Sequence, residues 1–341
     1  MHEPVRVGQL FMVGLKGGQL SAAEASLIAS RHFGSVTFVT SSTDGVGGVG
    51  SVTTAVQSLV TQRTTAGARF LVSANQEGGN VQALQGPGFS TIPPATVQGR
   101  MRPSFLVRRA AAWAREMRGA GVNMNLAPVM DVVPAATAKQ NQPIGVLHRE
   151  FGFDPTTVGL HGSAFIGGMA ESGVATTAKH FPGLGRVVGN TDFTAHVIDR
   201  ETTTTDPYLG SFEAAIRAGV PFVMVSLATY TRIDPKHLAV FSPAIMDSLL
   251  RGQMGFRGVI VSDDLGSAEA VAGIPPGTRA IDFLEAGGDL IISKTATTAV
   301  QMQQAVLARA GDDPAFRSKV DAAVRSILQA KERLGLLPCG A

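Results

Sequence analysis

Residues 173–185 read GVATTAKHFPGLG, and this segment sets the pattern for the fold. Its first residues are typical of a buried strand, and Lys179 and His180 follow together before a Pro-Gly turn. A strand that ends in two basic side chains and is followed by a glycine-rich turn presents polar groups at the end of the sheet where the strand stops. Two interpretations of the pair are open at this point: it binds a ligand, or it pairs with carboxylates of neighbouring strands.

Short apolar runs of this kind recur along the chain, and predicted helices separate them. The predicted strands lie at about residues 9–15, 35–39, 69–74, 122–127, 174–177, 222–226, 258–261 and 289–293. Continuous apolar runs suit a parallel sheet that is buried on both faces. We therefore predict an α/β fold, a single-domain (β/α)₈ TIM barrel over residues 1–341, with C-terminal helices at 298–334 packed on it.

Helix boundaries are indicated most clearly where a capping residue precedes an apolar pattern. Ser21 and Glu24 have the spacing of a capping box, and Asp154 directly before Pro155 is a typical helix start. In the glycine-rich segment after the second strand, we expect a helix only from about residue 51 to residue 62.

Composition excludes several classes of protein. Apolar residues make up 44% of the chain and charged residues 16%, which allows a large core. The net charge is +3 without a block of like charges, so a nucleic-acid surface is not expected, and the apolar runs are too short for a membrane span. The single cysteine, Cys339, permits no intrachain disulfide. The start of the sequence lacks a signal-peptide pattern, so we expect a cytoplasmic protein, although a chain trimmed of an export signal would look the same.

Polar side chains follow most of the predicted strands, at the end of the barrel where such folds carry their chemistry. These residues are Asn75, Glu77, Asp131, Lys179, His180, Ser226 and Asp263. A carboxylate such as Asp263 at the end of an apolar strand can attack an anomeric carbon, whereas Asp264 should point to the other face of the strand. Lys179 and His180 suit sugar hydroxyls or an amide carbonyl, and pairing with Glu77 or Asp131 is the alternative.

These segments resemble the bacterial β-N-acetylglucosaminidases of glycoside hydrolase family 3. The matching motifs are KHFPGLG at 179–185, QEGGNVQ at 76–82, NLAPVMDV at 125–132, RxFGxDP at 149–155, and GFRGVI with SDDL at 255–265. The resemblance extends over about residues 8–335. It implies a barrel, no metal or cofactor, and retaining hydrolysis of terminal β-linked N-acetylglucosamine. By motif position, Asp263 would be the nucleophile, and Arg149, Lys179 and His180 would contact the substrate.

The sequence departs from the family pattern in the loop at residues 186–196. The family has a histidine acid/base with an aspartate partner there; here the loop is longer by about four residues, His196 takes the place of the histidine, and Thr194 that of the aspartate. An imidazole, with its ordinary pKa of ~6.5, suits proton transfer to a leaving oxygen. Asp192 either replaces the missing partner or is itself the acid.

Three further departures bear on the substrate. Asn75 stands where the family has a sugar-binding aspartate, Asn80 where it has an arginine, and Leu227 where a histidine is common. Asn75 can still hydrogen-bond a hydroxyl, but without charge. We therefore expect a glycosidase that acts on β-N-acetylglucosaminides, for example in peptidoglycan turnover. The alternatives are another β-glycoside specificity, a phosphorylase, or a sugar-binding or regulatory protein with impaired catalysis.

Overall fold

A computed structural model describes residues 1–16 and 18–338 of the chain. Cys339, the single cysteine, lies outside the described residues. None of the helices in the described residues combines the length and the hydropathy that are needed to cross a lipid bilayer.

Eight parallel strands close into a barrel, which confirms the predicted (β/α)₈ architecture. Their bounds, in chain order from β1 to β8, are Phe11–Leu15, Ser35–Phe38, Leu71–Ala74, Met124–Asn125, Ala175–Phe181, Phe222–Val225, Val259–Asp264 and Leu290–Ser293. Each strand pairs with the one before it and the one after it, and β1 closes the ring against β8 with Phe11 opposite Ile291. Most strand residues are apolar and buried, as a parallel sheet that is covered on both faces requires.

Helices surround the barrel. Their bounds are Glu3–Gln9, Ala22–Ser30, Gly45–Gln57, Gln62–Thr65, Ala95–Gln98, Pro103–Gly119, Pro155–Glu171, Gly210–Arg217, Ala244–Gln253 (a wide helix of the π type), Pro276–Glu285, Ala296–Asp312 and Pro314–Arg333. Both predicted helix starts are present: Ser21 and Glu24 form the capping box, and the Asp154 carboxylate accepts a hydrogen bond from the backbone N–H of Thr157. The last two helices pack on each other, on Pro276–Glu285 and on Glu3–Gln9.

Short pieces of irregular and extended structure complete the fold. Single 3₁₀ turns occupy Gly145–Leu147, Pro207–Leu209, Ala239–Phe241 and Glu269–Val271. Outside the barrel, Gln76–Gly78 pairs with Val81–Gln82, and Ile198–Asp199, Thr229–Tyr230 and Asp234–Leu238 form a small three-stranded sheet. The short extended pieces lie in the loops that follow β3, β5 and β6, and the 3₁₀ turns lie in the loops that follow β4, β5, β6 and β7.

Some predicted boundaries were wrong. Gly45–Gln57 is one helix, although it contains several glycines, because Val49, Val52 and Val56 are buried against the core and their packing outweighs weak helix propensity. β5 and β7 also run further than predicted, so that Lys179, His180 and Asp263 lie within the ends of strands rather than after them.

Candidate active site

A cavity of about 280 Å³ opens at the carboxyl ends of the barrel strands. Six of the seven predicted site residues line it: Asn75, Arg149, Lys179, His180, Asp192 and Asp263. In this order, they lie directly after β3, in the loop after β4, in β5 (Lys179 and His180), in the loop after β5, and in β7. The barrel therefore brings together side chains that are separated by almost two hundred residues of sequence.

Glu77 joins two cations of the cavity in one buried cluster. Its Oε1 atom lies 2.5 Å from the Nζ atom of Lys179, and both of its oxygens accept hydrogen bonds of 2.8 Å from the Arg149 guanidinium. Lys179 also donates to the Oδ1 atom of Asn75 at 2.7 Å, and Arg149 donates to the backbone oxygen of Pro143. The lysine therefore has the carboxylate partner that the sequence suggested and still lines the cavity.

The charges of this cluster shift the pKa values of its members. Burial alone would raise the pKa of Glu77, but the charges and hydrogen bonds of Arg149 and Lys179 lower it to about 2. Burial lowers the pKa of Lys179, and the neighbouring Arg149 adds to this effect, while Glu77 opposes it. Glu77 is therefore ionised throughout the physiological range, and it compensates cations that would otherwise be costly to bury.

Asp131 holds the turn that follows β5. Its side chain is fully buried, and its Oδ2 atom lies 2.8 Å from the Nδ1 atom of His180. Its Oδ1 atom accepts hydrogen bonds from the backbone N–H groups of His180 and Leu184 at 3.2 and 2.7 Å. The carboxylate thus fixes both the imidazole ring and the backbone on which that ring is carried.

The two adjacent aspartates at the end of β7 have different environments, as the alternation of strand side chains predicts. Asp263 is partly buried and lines the cavity, and its Oδ1 atom accepts a hydrogen bond from the Asp264 backbone N–H. Asp264 is buried and accepts from the backbone N–H groups of Gly266 and Lys294 and from the Ser267 hydroxyl. Asp264 stabilises the turn, while Asp263 is the carboxylate that is available to a ligand.

The loop after β5 places Asp192 at the cavity and His196 away from it. The backbone oxygens of Thr191 and Asp192 accept hydrogen bonds from Ala270 and Glu269, in the segment after β7, at 3.1 and 3.2 Å. Thr191 is buried, whereas His196 is exposed, adopts a left-handed φ of 57°, and is outside the set of described residues that line the cavity. In this arrangement of the loop, Asp192 is the one of the two candidate residues that lines the cavity.

Lys294 and Phe193 line the cavity but were not identified from the sequence. The Nζ atom of Lys294 lies 3.5 Å from the Oδ2 atom of Asp192 and 3.9 Å from that of Asp264. The only signal for Lys294 was a lysine directly after the apolar run of β8, and Phe193 follows Asp192 in a loop that gave no pattern.

The other rim residues that the sequence indicated lie away from this cavity. Ser226 is buried, and its hydroxyl group is 3.0 Å from that of Tyr230, which donates to the backbone oxygen of Gly183. Leu227 is also buried, and Asn80 is exposed without lining the cavity. Within residues 1–16 and 18–338, no group of three or more His, Cys, Asp or Glu side chains is arranged to hold a metal ion.

Comparison with known families and proteins shows what the chain is similar to. The model of the glycosyl hydrolase family 3 N-terminal domain matches residues 4–330. A beta-hexosaminidase of Stenotrophomonas maltophilia (strain K279a) is 35% identical over 234 residues, which cover 65% of this chain and 66% of that protein, slightly less than two thirds of its length. A beta-hexosaminidase of Xanthomonas oryzae pv. oryzae (strain MAFF 311018) is 31% identical over 316 residues, which cover 88% of each protein.

A solved structure is similar over nearly the whole chain. The crystal structure of a beta-N-acetylhexosaminidase from Beutenbergia cavernae DSM 12333 superposes with a TM-score of 0.95 at 47% sequence identity. The match covers 96% of this chain and 98% of that one.

Proposed function

The chain belongs to glycosyl hydrolase family 3, and we propose that it removes terminal β-linked N-acetylglucosamine from a carbohydrate with retention of configuration. The observation that carries this proposal is the position of Asp263, whose carboxylate accepts a backbone hydrogen bond from Asp264 and lines a cavity that also contains Asn75, Arg149 and Lys179. The similar beta-hexosaminidases and the similar beta-N-acetylhexosaminidase support this choice of sugar.

The reaction needs one nucleophile and one group that moves a proton. In the first step an oxygen of Asp263 attacks C1 of the sugar, the bond from C1 to the glycosidic oxygen breaks, and the acid transfers a proton to that oxygen. In the second step water attacks C1, its proton returns to the conjugate base of the acid, and the bond to Asp263 breaks. Two inversions at C1 give overall retention.

Lys179 and Arg149 supply hydrogen-bond donors for the sugar. An ammonium group has three N–H donors, and Glu77 and Asn75 each accept one from Lys179. The Arg149 guanidinium has five, of which Glu77 accepts two and Pro143 one. The remaining donors are held in fixed directions by these contacts, so little conformational entropy is lost when they bind sugar hydroxyls or the acetamido oxygen.

We assign the acid/base role to Asp192 rather than to His196. Asp192 lines the same cavity as Asp263, and the backbone on either side of its side chain is fixed by bonds to the segment after β7. His196 is exposed and is not among the described residues that line this cavity. A loop carboxylic acid in this position can protonate the leaving oxygen and then deprotonate water.

The first experiment tests for turnover with a chromogenic N-acetyl-β-glucosaminide, with and without phosphate. We expect hydrolysis that does not depend on phosphate, a first product with the β configuration by NMR, and covalent labelling of Asp263 by a fluorinated sugar inhibitor in peptide mass spectrometry. Labelling of another residue, an α product, or turnover that requires phosphate would contradict the proposal. An Asp263→Asn variant is expected to lose at least about 10³-fold in kcat/KM.

The second experiment separates the two candidates for the acid. Asp192→Ala is expected to lose activity most strongly on substrates with poor leaving groups, and added azide should restore turnover by forming a β-glycosyl azide. His196→Ala, which changes the same loop, is the matched control and should keep nearly full activity. Rescue of His196→Ala by azide instead would transfer the assignment to the histidine.

We propose that the natural substrates are fragments of peptidoglycan that end in N-acetylglucosamine. The resemblance to bacterial β-N-acetylglucosaminidases supports this source. Digestion of purified muropeptides, followed by mass spectrometry, should show release of N-acetylglucosamine at a rate comparable to that from a simple disaccharide. Muropeptides that are left intact while chitin disaccharide is cleaved would indicate a different natural substrate.

A further inference from the structure

Phe193 is a largely exposed aromatic residue that lines the cavity. Its side chain is 79% exposed, the largest value among the exposed large hydrophobic residues of the described chain, and it nevertheless lines the cavity. Keeping an aromatic ring in water gives up the free energy that its burial would provide. An exposed ring at a binding cavity is therefore a candidate contact for a ligand.

The backbone that carries this ring is fixed in place. The residues just before it, Thr191 and Asp192, accept hydrogen bonds from Ala270 and Glu269, and Thr191 is buried. The N–H group of Phe193 itself donates to the backbone oxygen of Asn190 at 3.0 Å. The ring thus extends from a short, tethered turn, which lowers the entropic cost of using it as a binding surface.

The position of Asp192 indicates which part of a substrate this ring would meet. A residue that protonates the glycosidic oxygen must lie beside the bond to the leaving group. Phe193 is adjacent to Asp192 in sequence and shares the cavity with it, while the sugar donors on Lys179 and Arg149 line the same cavity from β5 and from the loop after β4. The ring therefore belongs to the leaving-group side of the scissile bond.

We propose that Phe193 is the stacking surface for the sugar that leaves, and that it makes the protein specific for substrates in which a pyranose occupies this position. This inference rests on the proposed glycosidase function and on the assignment of Asp192. One face of a pyranose consists largely of C–H groups, which pack favourably on an aromatic ring. Leu147 also lines the cavity and adds apolar surface to it.

The test compares two substrates that differ only in the leaving group. Chitin disaccharide has a sugar there, whereas N-acetyl-β-glucosaminyl fluoride has a single atom. We expect Phe193→Ala to lower kcat/KM for the disaccharide about 10- to 100-fold and that for the fluoride less than about twofold, because binding energy from the leaving sugar contributes to catalysis. Phe193→Trp should retain the activity on the disaccharide.

Phe153→Ala is the matched control, since Phe153 is also exposed, at 49%, but does not line the cavity. This substitution should leave kcat/KM unchanged for both substrates. Equal losses on both substrates, or no loss on the disaccharide, would overturn the role of Phe193 while leaving the glycosidase intact. If the wild-type protein hydrolyses neither substrate, the proposed function itself fails, and the inference fails with it.

Discussion

The Nζ atom of Lys294 lies 3.5 Å from the Oδ2 atom of Asp192, and this ion pair joins the end of β8 to the loop that follows β5. Burial lowers the pKa of the lysine, but the charges of Asp192, Asp263 and Asp264 raise it above its ordinary value, so Lys294 is protonated under all physiological conditions. The pair places a fixed positive charge beside the carboxylates that we assign to catalysis.

We expect Lys294→Met to lower kcat/KM by about 10- to 100-fold, because Asp192 loses the contact that orients it. Lys294→Arg keeps the charge and should retain most of the activity. Lys236→Met, at an exposed lysine of the strand Asp234–Leu238, is the control for the loss of a positive charge. Wild-type kinetics in Lys294→Met would show that the pair has no role in positioning.

The carboxylate of Glu77 should affect the free energy of unfolding of the protein and the dependence of that free energy on pH. Replacing Glu77 by glutamine removes the carboxylate that contacts both buried cations, Lys179 and Arg149, and we expect the free energy of unfolding at pH 7 to fall by about 3–5 kcal/mol. Glu213→Gln, at a half-exposed glutamate, should change it by less than about 0.5 kcal/mol. Urea unfolding measures both values.

The sign of the pH effect follows from the lowered pKa of Glu77, about 2 in the folded protein against an ordinary value of 4.5. The stabilisation by the ionised carboxylate is complete above pH 4.5, and it is lost as the pH falls toward 2. The difference between the wild type and Glu77→Gln should therefore be constant near neutrality and shrink in acid. A difference that stays constant down to pH 3 would contradict the ion pair as its cause.

The sequence predicted the barrel and most of the cavity because residues at the carboxyl ends of barrel strands must lie close together. Asn75, Lys179 and Asp263 end separate apolar strands, and parallel strands in a barrel bring such residues to one rim. The choice between Asp192 and His196 was beyond this reasoning, since the path of their loop depends on backbone hydrogen bonds to residues more than seventy positions later.

Lys294 and the helix Gly45–Gln57 were missed for a related reason. A lysine after a strand is common on protein surfaces, and only its contact with Asp192, a hundred residues earlier, distinguishes this one. The glycines of the helix argue locally against helical structure, and the burial of Val49 and Val52 outweighs them only in the folded chain. Both features are set by tertiary contacts rather than by local pattern.

Asp131→Asn should impair catalysis through His180. The Asp131 carboxylate accepts from Nδ1 of the imidazole, whereas an asparagine side chain that presents its NH₂ group to Nδ1 would favour the opposite tautomer. We expect a loss of about 10- to 100-fold in kcat/KM. Asp199→Asn is the matched control, because Asp199 is also a buried carboxylate that holds a turn, but its partner Thr202 does not line the cavity, whereas His180 does. Equal losses in the two variants would attribute the effect to folding.

The buried side chain of Lys331 should make the free energy of unfolding rise with pH in mild alkali. Its side chain is fully buried in the C-terminal helix Pro314–Arg333, and its Nζ atom donates to the Gln9 side chain and to the backbone oxygen of Gly34, each at 2.7 Å. Neither partner carries a charge, and burial lowers the pKa of Lys331 from 10.5 to about 7.

Between pH 7 and pH 10.5 the unfolded chain therefore binds more protons at Lys331 than the folded protein does, so the free energy of unfolding rises with pH in this window. The free energy of unfolding of the wild type, minus that of Lys331→Met, should increase by up to about 1.4 kcal/mol per pH unit between pH 7.5 and pH 9.5. Lys319→Met, at an exposed lysine of the same helix, should show no such slope against the wild type. A difference between the wild type and Lys331→Met that is independent of pH would show that the buried lysine does not titrate in this range.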